Sequence, residues 1–149
     1  AMTDVDFMRE AIIEAKLALD GGDVPVGCVI AQNGRIIARA HNEREQTGDP
    51  TAHAEILAIR RAAANTGDWR LNDCTLYVTL EPCPMCAGAI SQSRVGRLVY
   101  GADDARYGCG GSVYRIPEDP AFIHFCKCEG GVLAEECRAL IQYIFNQKA

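Results

Sequence analysis

The chain has no uninterrupted apolar stretch near the roughly 18 residues that a membrane-spanning helix needs, which excludes an integral helical membrane protein. The residues after Met2 do not run basic and then apolar as an export signal does, so the expected location is cytoplasmic, with no membrane partner. No segment is dominated by Pro, Gly and Ser or by one sign of charge, and no internal repeat is visible, so neither a long linker nor a disordered tail is expected. A positive balance is also missing. Fifteen Lys and Arg stand against twenty Asp and Glu, a net charge of −5, which excludes a protein that coats itself with nucleic acid through bulk charge. Local basic patches from Arg35, Arg39 and Arg44, or from Arg94, Arg97 and Arg106, stay open beside the plainer reading of scattered solvated arginines. Ala1, ahead of Met2, is expected to be left over from expression and is set aside, so residues 2–149 are expected to form one domain.

What is present is a 48% hydrophobic composition, enough to fill a core, and eight cysteines. In a reducing compartment those cysteines read as thiols or metal ligands before they read as disulfides. From Val5 to Leu19, apolar residues recur at three- and four-residue steps, predicting an amphipathic helix stopped by Gly21-Gly22. Val24 to Ala31 and Arg35 to Ala40 flank Asn33-Gly34 and predict a β-hairpin, and Asn42 to Pro50 reads as a polar loop. Thr51 is expected to cap a helix through Thr66, with His53 and Glu55 in its first turn. Cys74 to Leu80 predicts a buried strand, Pro82 a stop and then a helix start at Cys83 running to Ser91. Val95 to Tyr100 is a short strand, and the glycine-bearing Gly101 to Ser112 is an irregular loop expected to border something functional. A last strand is expected over Phe125 to Glu129. Ala134 to Phe145 predicts a helix with Cys137, Leu140, Ile141, Ile144 and Phe145 on one stripe. This order predicts an α/β fold, a three-layer α/β/α sandwich with a mixed five-stranded sheet and helices on both faces.

Two segments carry chemistry: Thr51-Ala52-His53-Ala54-Glu55 and Glu81-Pro82-Cys83-Pro84-Met85-Cys86. Together they resemble the His-x-Glu … Pro-Cys-x-x-Cys pattern of the zinc nucleobase deaminases. That resemblance implies one Zn2+ per subunit held by His53, Cys83 and Cys86, a water or hydroxide in the fourth position, and Glu55 as proton shuttle. The spacing is physically reasonable. Two thiolates two residues apart at a helix start can face one ion, and the positive end of the helix helps keep them deprotonated. Three protein ligands leave a tetrahedral position open, as in a catalytic zinc site. Cys-x-x-Cys alone reads as a redox pair or half of a structural zinc site, but a redox pair needs neither His53 nor Glu55, and a structural site would want a fourth ligand. The remaining cysteines read differently. Cys28, Cys74 and Cys137 are expected to be buried small hydrophobes. His124, Cys126 and Cys128 would share a strand face, with ordinary packing the plainer reading against a second metal. His41 has no cysteine near it in sequence and reads as structural or exposed.

Beyond the zinc pattern, Asp23-Val24-Pro25-Val26-Gly27, Asp49-Pro50-Thr51, Leu76 to Glu81 and Cys86-Ala87-Gly88-Ala89 resemble the bacterial tRNA-specific adenosine deaminases, and the likeness runs from Val5 to Phe145. The resemblance implies a cytidine deaminase-like fold. It also implies conversion of adenosine to inosine at the wobble position of a tRNA anticodon stem-loop, by a homodimer. Matching positions imply that Asn42 hydrogen-bonds the base, that the Ala54 amide also reads it, that Val26 lines the pocket, and that Asp104 lies near the nucleotide's sugar. The plainer reading of Asn42 is a turn residue that ends the hairpin. This chain departs from the family at Ile123-His124-Phe125, where Asn-His-Arg is common, and at Tyr143 to Lys148, which carries one positive charge where several arginines are common. Both departures reduce phosphate contact. Two alternatives therefore stay open: a deaminase of a free guanine- or cytosine-type base or nucleoside, and a noncatalytic RNA-binding subunit with the same fold.

Overall fold

The structure is a computed structural model that describes residues 1–148, and the side chains of residues 1–144. The stripe position expected for Phe145 lies outside the described side chains.

Helix α1 (Asp4–Asp20) begins with a reciprocal cap in which Thr3 and Asp6 each accept the other's backbone N–H, as the local sequence allows. Strands β1 (Gly27–Gln32) and β2 (Arg35–His41) form the expected hairpin, turned by Asn33 and Gly34 at φ of 52° and 76°. After β2 come a single helical turn α2 (Arg44–Thr47), helix α3 (Ala54–Thr66), strand β3 (Cys74–Leu80) and helix α4 (Pro84–Gln92). Strand β4 (Arg97–Ala102), a 3-10 turn (Ile116–Glu118), strand β5 (Lys127–Glu129) and helix α5 (Ala134–Lys148) complete the chain. The sheet runs β2-β1-β3-β4-β5, antiparallel between β2, β1 and β3 and parallel between β3, β4 and β5. This is the expected mixed five-stranded sheet.

Alternation along the strands divides two cores. Cys28, Ile30, Leu76, Val78 and Leu98 face α3 and α4, while Val29, Ala31, Tyr77 and Val99 face α1 and α5. Both faces are covered, which gives three layers. At the edge, the free carbonyls of β2 are not left open. Asn65 Nδ2 donates to Ile37 O at 2.6 Å and Arg61 donates to Arg39 O at 2.8 Å, both reaching across from α3.

Several element boundaries differ from expectation for identifiable reasons. Thr51 does not cap α3. Its hydroxyl donates to Asp49 at 2.7 Å, His53 takes the N-cap position without a side-chain bond, and the first helical N–H, that of Ala54, is accepted by Asn42 Oδ1 at 2.8 Å. The polar loop contains α2 because the buried Asp23 carboxylate accepts from the Glu45 and Gln46 amides at 2.8 and 3.2 Å. The β1 strand starts late, since Val26 N–H turns back to Val24 O. Strand β4 begins at Arg97 because the Val95 and Gly96 amides bond to Ile90 O and Cys74 O. The last strand shortens to Lys127–Glu129 because Cys126 N–H bonds to Pro117 O instead of the sheet.

Gly27 is the point where β1 passes closest to α1: a Cβ there would collide with the Ala11 carbonyl and the Ala15 amide, both backbone. Gly27→Ala is expected to force α1 outward and lower stability by about 1–3 kcal/mol. Urea unfolding midpoints check this, and an unchanged midpoint would contradict the close approach.

Candidate active site

The N-termini of α3 and α4 meet beyond the carboxyl ends of the parallel strands β3 and β4. His53 is the N-cap of α3 and Cys83 the N-cap of α4, with Pro84 and Cys86 in the first turn of α4. Proline suits that position because the first helical N–H has no partner to lose. Cys83 Sγ lies 3.7 Å and Cys86 Sγ 3.5 Å from His53 Nδ1, and all three ligand atoms lie within 4.8 Å of one another. A tetrahedral ion with bonds of about 2.0 Å to nitrogen and about 2.3 Å to sulfur would hold such atoms roughly 3.5 Å apart. The trio therefore fits zinc, with His53 presenting Nδ1. It is the one such metal-ligand group among the described residues.

Proton affinities in the trio are unequal. Hydrogen bonding from Cys86 and His53 pulls the Cys83 thiol down to about 4, against the effect of burial. Cys86 keeps its proton, pushed up by that same bond to Cys83 and by burial. His53 is raised from the usual imidazole value, first by its hydrogen bond to Cys83. Glu55, one residue into α3, is 3% exposed, and burial pushes its carboxyl up to about 7. A carboxyl that exchanges its proton near neutral pH beside a metal-ligand trio is equipped for acid–base work.

His53, Cys83 and Glu55 open onto a cavity of about 570 Å3 lined by residues from six parts of the chain, among them Val26, Asn42, Arg44, Leu80, Asp104 and Tyr107, with Cys86 buried behind it. Of the expected substrate contacts, Val26, Asn42 and Asp104 line this cavity. Ala54 is fully buried and is not among the lining residues, and its N–H is bonded to Asn42. Asn42 also donates through Nδ2 to Val24 O at 3.2 Å, so it joins the hairpin to α3. Each of its amide atoms still has one hydrogen-bonding position to spare. Asp104 accepts from the Arg106 and Tyr107 amides, which curls that segment around it.

The two candidate basic patches divide by role. Arg39 pairs with Glu10 and Glu14, Arg97 with Asp4 and Glu129, and Arg94 donates to carbonyls of Ser91 and Gln92. Arg44 and Arg106 instead reach the cavity. Cys28, Cys74 and Cys137 are buried as small hydrophobes, His41 bonds to Glu14 at 2.9 Å, and His124 bonds to Val95 O, so ordinary packing accounts for them. Glu81 was given no role by the sequence pattern, yet it is 2% exposed and borders the cavity. The one signal for it in the sequence is an acidic residue closing an otherwise uncharged strand run directly before Pro82-Cys83.

A family model for the cytidine and deoxycytidylate deaminase zinc-binding region matches residues 2–102. The chain is 49% identical over 141 residues to the tRNA-specific adenosine deaminase of Bacillus subtilis (strain 168), covering 95% of this chain and 88% of that protein. A solved tRNA:A34 deaminase, studied for A-to-I editing at the wobble position of transfer RNA, superposes with a TM-score of 0.86 at 42% identity, covering 90% of this chain and 97% of the other. The guanine deaminase of Bacillus subtilis superposes with a TM-score of 0.66 at 41% identity, over 68% of this chain and 66% of that one. The chain therefore belongs to the zinc-binding cytidine and deoxycytidylate deaminase family and, within it, to the group of the tRNA-specific adenosine deaminases. It is a zinc-dependent hydrolytic deaminase.

Because Cys86 keeps its proton in the metal-free chain and the proton affinity of His53 is raised, zinc must compete with protons for these ligands, and its affinity is expected to fall as pH is lowered from about 8 to about 6. Chelator competition at the two pH values measures this. Cys86→Ala is expected to lose zinc and deaminase activity together. A variant that keeps one zinc per chain at wild-type affinity would refute the ligand set.

Proposed function

We propose that this chain hydrolyses the exocyclic amine of adenosine at the wobble position of a tRNA anticodon, giving inosine and ammonia. The observation that carries the chemistry is the Glu55 carboxyl, buried against the His53, Cys83 and Cys86 trio on the wall of a cavity of nucleoside-accommodating size. The substrate assignment is supported by the identity with the Bacillus subtilis tRNA-specific adenosine deaminase along 95% of the chain.

Zinc bound by His53, Cys83 and Cys86 supplies a Lewis acid that makes water easier to deprotonate near neutral pH. Glu55 takes the proton of the attacking water on a carboxylate oxygen and passes it to ring N1 of the purine. The carboxylate then takes the second proton, from the new hydroxyl on C6, and delivers it to the amine, which leaves as ammonia while the C6 carbonyl forms. Val26 and Leu80 give the base an apolar slot, and the spare hydrogen-bonding positions of Asn42 address its edge. Reading by the Ala54 amide would require Asn42 Oδ1 to release it. Asp104, across the cavity, faces the sugar. Arg44 and Arg106 supply the positive charge that meets phosphate where the overall balance is negative.

We further infer that residues 2–149 act as one domain, in the cytoplasm, as a homodimer. Among the described residues no helix is long and apolar enough to cross a membrane. Phe122, Ile123 and Phe125 are 50%, 97% and 61% exposed, an apolar run that supports burial against a second copy.

One observation favours a second reading, a deaminase of a free guanine-type base or nucleoside: the likeness to the Bacillus subtilis guanine deaminase over 68% of the chain. Incubation with an anticodon stem-loop bearing a wobble adenosine, and in parallel with free bases and nucleosides, separates the two by mass spectrometry. Inosine in the stem-loop is expected, and turnover confined to small molecules overturns the tRNA assignment.

Glu55→Gln is expected to retain zinc and lose roughly a hundredfold to ten-thousandfold in rate. As a base Glu55 must be ionised, so kcat/KM falls as pH drops through its pKa. A nearby divalent ion favours the carboxylate, which places that limb at or below about 7. Wild-type turnover by the variant, or an acid limb well above that value, would remove Glu55 from this role.

A further inference from the structure

The loop from Asp103 to Ser112 forms one wall of the cavity through Asp103, Asp104, Ala105, Arg106 and Tyr107. It has no regular secondary structure apart from an isolated bridge between Gly110 and Arg115, so something other than a sheet ladder must hold it. We propose that Glu81 is a positioning residue that fixes this loop against the end of β3 and thereby sets affinity for the nucleotide without touching it. The proposal rests on the reading of this cavity as the substrate site.

The Glu81 carboxylate accepts four hydrogen bonds, and all come from this loop. Oε1 takes the Asp104 N–H at 3.0 Å and the Ser112 hydroxyl, and Oε2 takes the Gly110 and Ser112 N–H groups, each at 2.9 Å. One donor lies near the start of the loop and three lie at its end, so a single side chain closes it. Each bond is charge-assisted, and together they use the four lone pairs of the carboxylate, leaving none for a substrate. The carboxylate is 2% exposed, so its charge is stabilised by these donors more than by water.

The chain is shaped for this contact. A Cβ at Gly108 would collide with the Glu81 carboxylate and the Asp104 carbonyl, which accounts for a glycine where the loop passes closest. Two backbone bonds tighten the same turn, Gly108 N–H to Asp104 O at 2.9 Å and Cys109 N–H to Pro82 O at 2.8 Å. What is left projecting into the cavity is Asp104 to Tyr107, held from behind at Asp104. Glu55 and the metal ligands stand on α3 and α4, outside this loop. Loosening it should therefore weaken substrate and transition state alike, which raises KM and spares kcat.

Zinc-loaded full-length protein acting on the wobble-adenosine stem-loop provides the test. In Glu81→Gln an amide NH2 replaces one oxygen and faces N–H donors, so at least one of Asp104, Gly110 and Ser112 loses its acceptor. The expected result is a KM raised on the order of tenfold, kcat within about threefold of wild type, and unchanged zinc content. Ser112→Ala removes one donor from an exposed residue and is expected to raise KM in the same direction by roughly twofold to threefold, which keeps the test usable if the first variant does not fold. A purely structural role would reduce the fraction of active molecules, lowering kcat at constant KM, and that result overturns the proposal, as does an unchanged KM in both variants. Amide hydrogen exchange separates this from the substrate assignment: faster exchange at Asp104, Gly110 and Ser112 in Glu81→Gln is expected whatever the substrate, and unaltered exchange there refutes the clamp. If the wild type ignores the stem-loop, the tRNA reading fails by itself. The KM-against-kcat comparison then moves to the small molecule it does deaminate, where a raised KM supports the clamp and a lowered kcat at constant KM overturns it.

Discussion

Everything at the site depends on two helices starting at the same place. His53 and Cys83 each occupy an N-cap, so the amide ends of α3 and α4 converge on one small volume. Each end carries positive partial charge, which favours thiolate at Cys83 and admits an anion or a metal-ligand set more readily than a neutral surface would. Convergence requires both helices to lie close on the same face of the sheet. Ala54, Ala58 and Ala62 make that possible: all three are fully buried and carry a single methyl, so α3 approaches the strands closely enough for His53 Nδ1 to reach both sulfurs. The small residues on the inner face of the helix and the chemistry at its end are thus one design.

Three buried carboxylates show how surroundings assign different work to one functional group. Glu14 faces His41 and Arg39 and ties α1 to β2. Glu81 faces a ring of amides and a hydroxyl and organises a loop. Glu55 has neither arrangement. Burial opposes its ionisation and leaves it poised near neutrality, the one of the three suited to passing a proton back and forth.

Features written in neighbouring residues are legible from the chain alone. The Asn33-Gly34 turn, the helix read over Val5 to Leu19, the buried run Cys74–Leu80 and the spacing of His53, Glu55, Cys83 and Cys86 all rest on periodicity, turn chemistry or short-range spacing. What stayed hidden was made by partners far apart in the chain. The turn α2 exists because Asp23 caps it from 22 residues away, and α3 is capped by Asn42 instead of the nearby Thr51. Cys126 is drawn from the sheet by Pro117, and Glu118 then takes the Cys128 amide at 2.7 Å. Glu81 acquires its partners 23 to 31 residues downstream. None of these contacts leaves a periodic trace, because a single polar side chain meeting a distant amide looks locally like any other polar residue.

The treatment of the β2 edge bears on how copies of this chain can meet. An incoming strand would first have to strip Asn65 and Arg61 from the carbonyls they occupy, surrendering two satisfied bonds before forming any of its own. Sheet-to-sheet fusion at that border is disfavoured from the outset, and oligomers that avoid it are left to form through other faces.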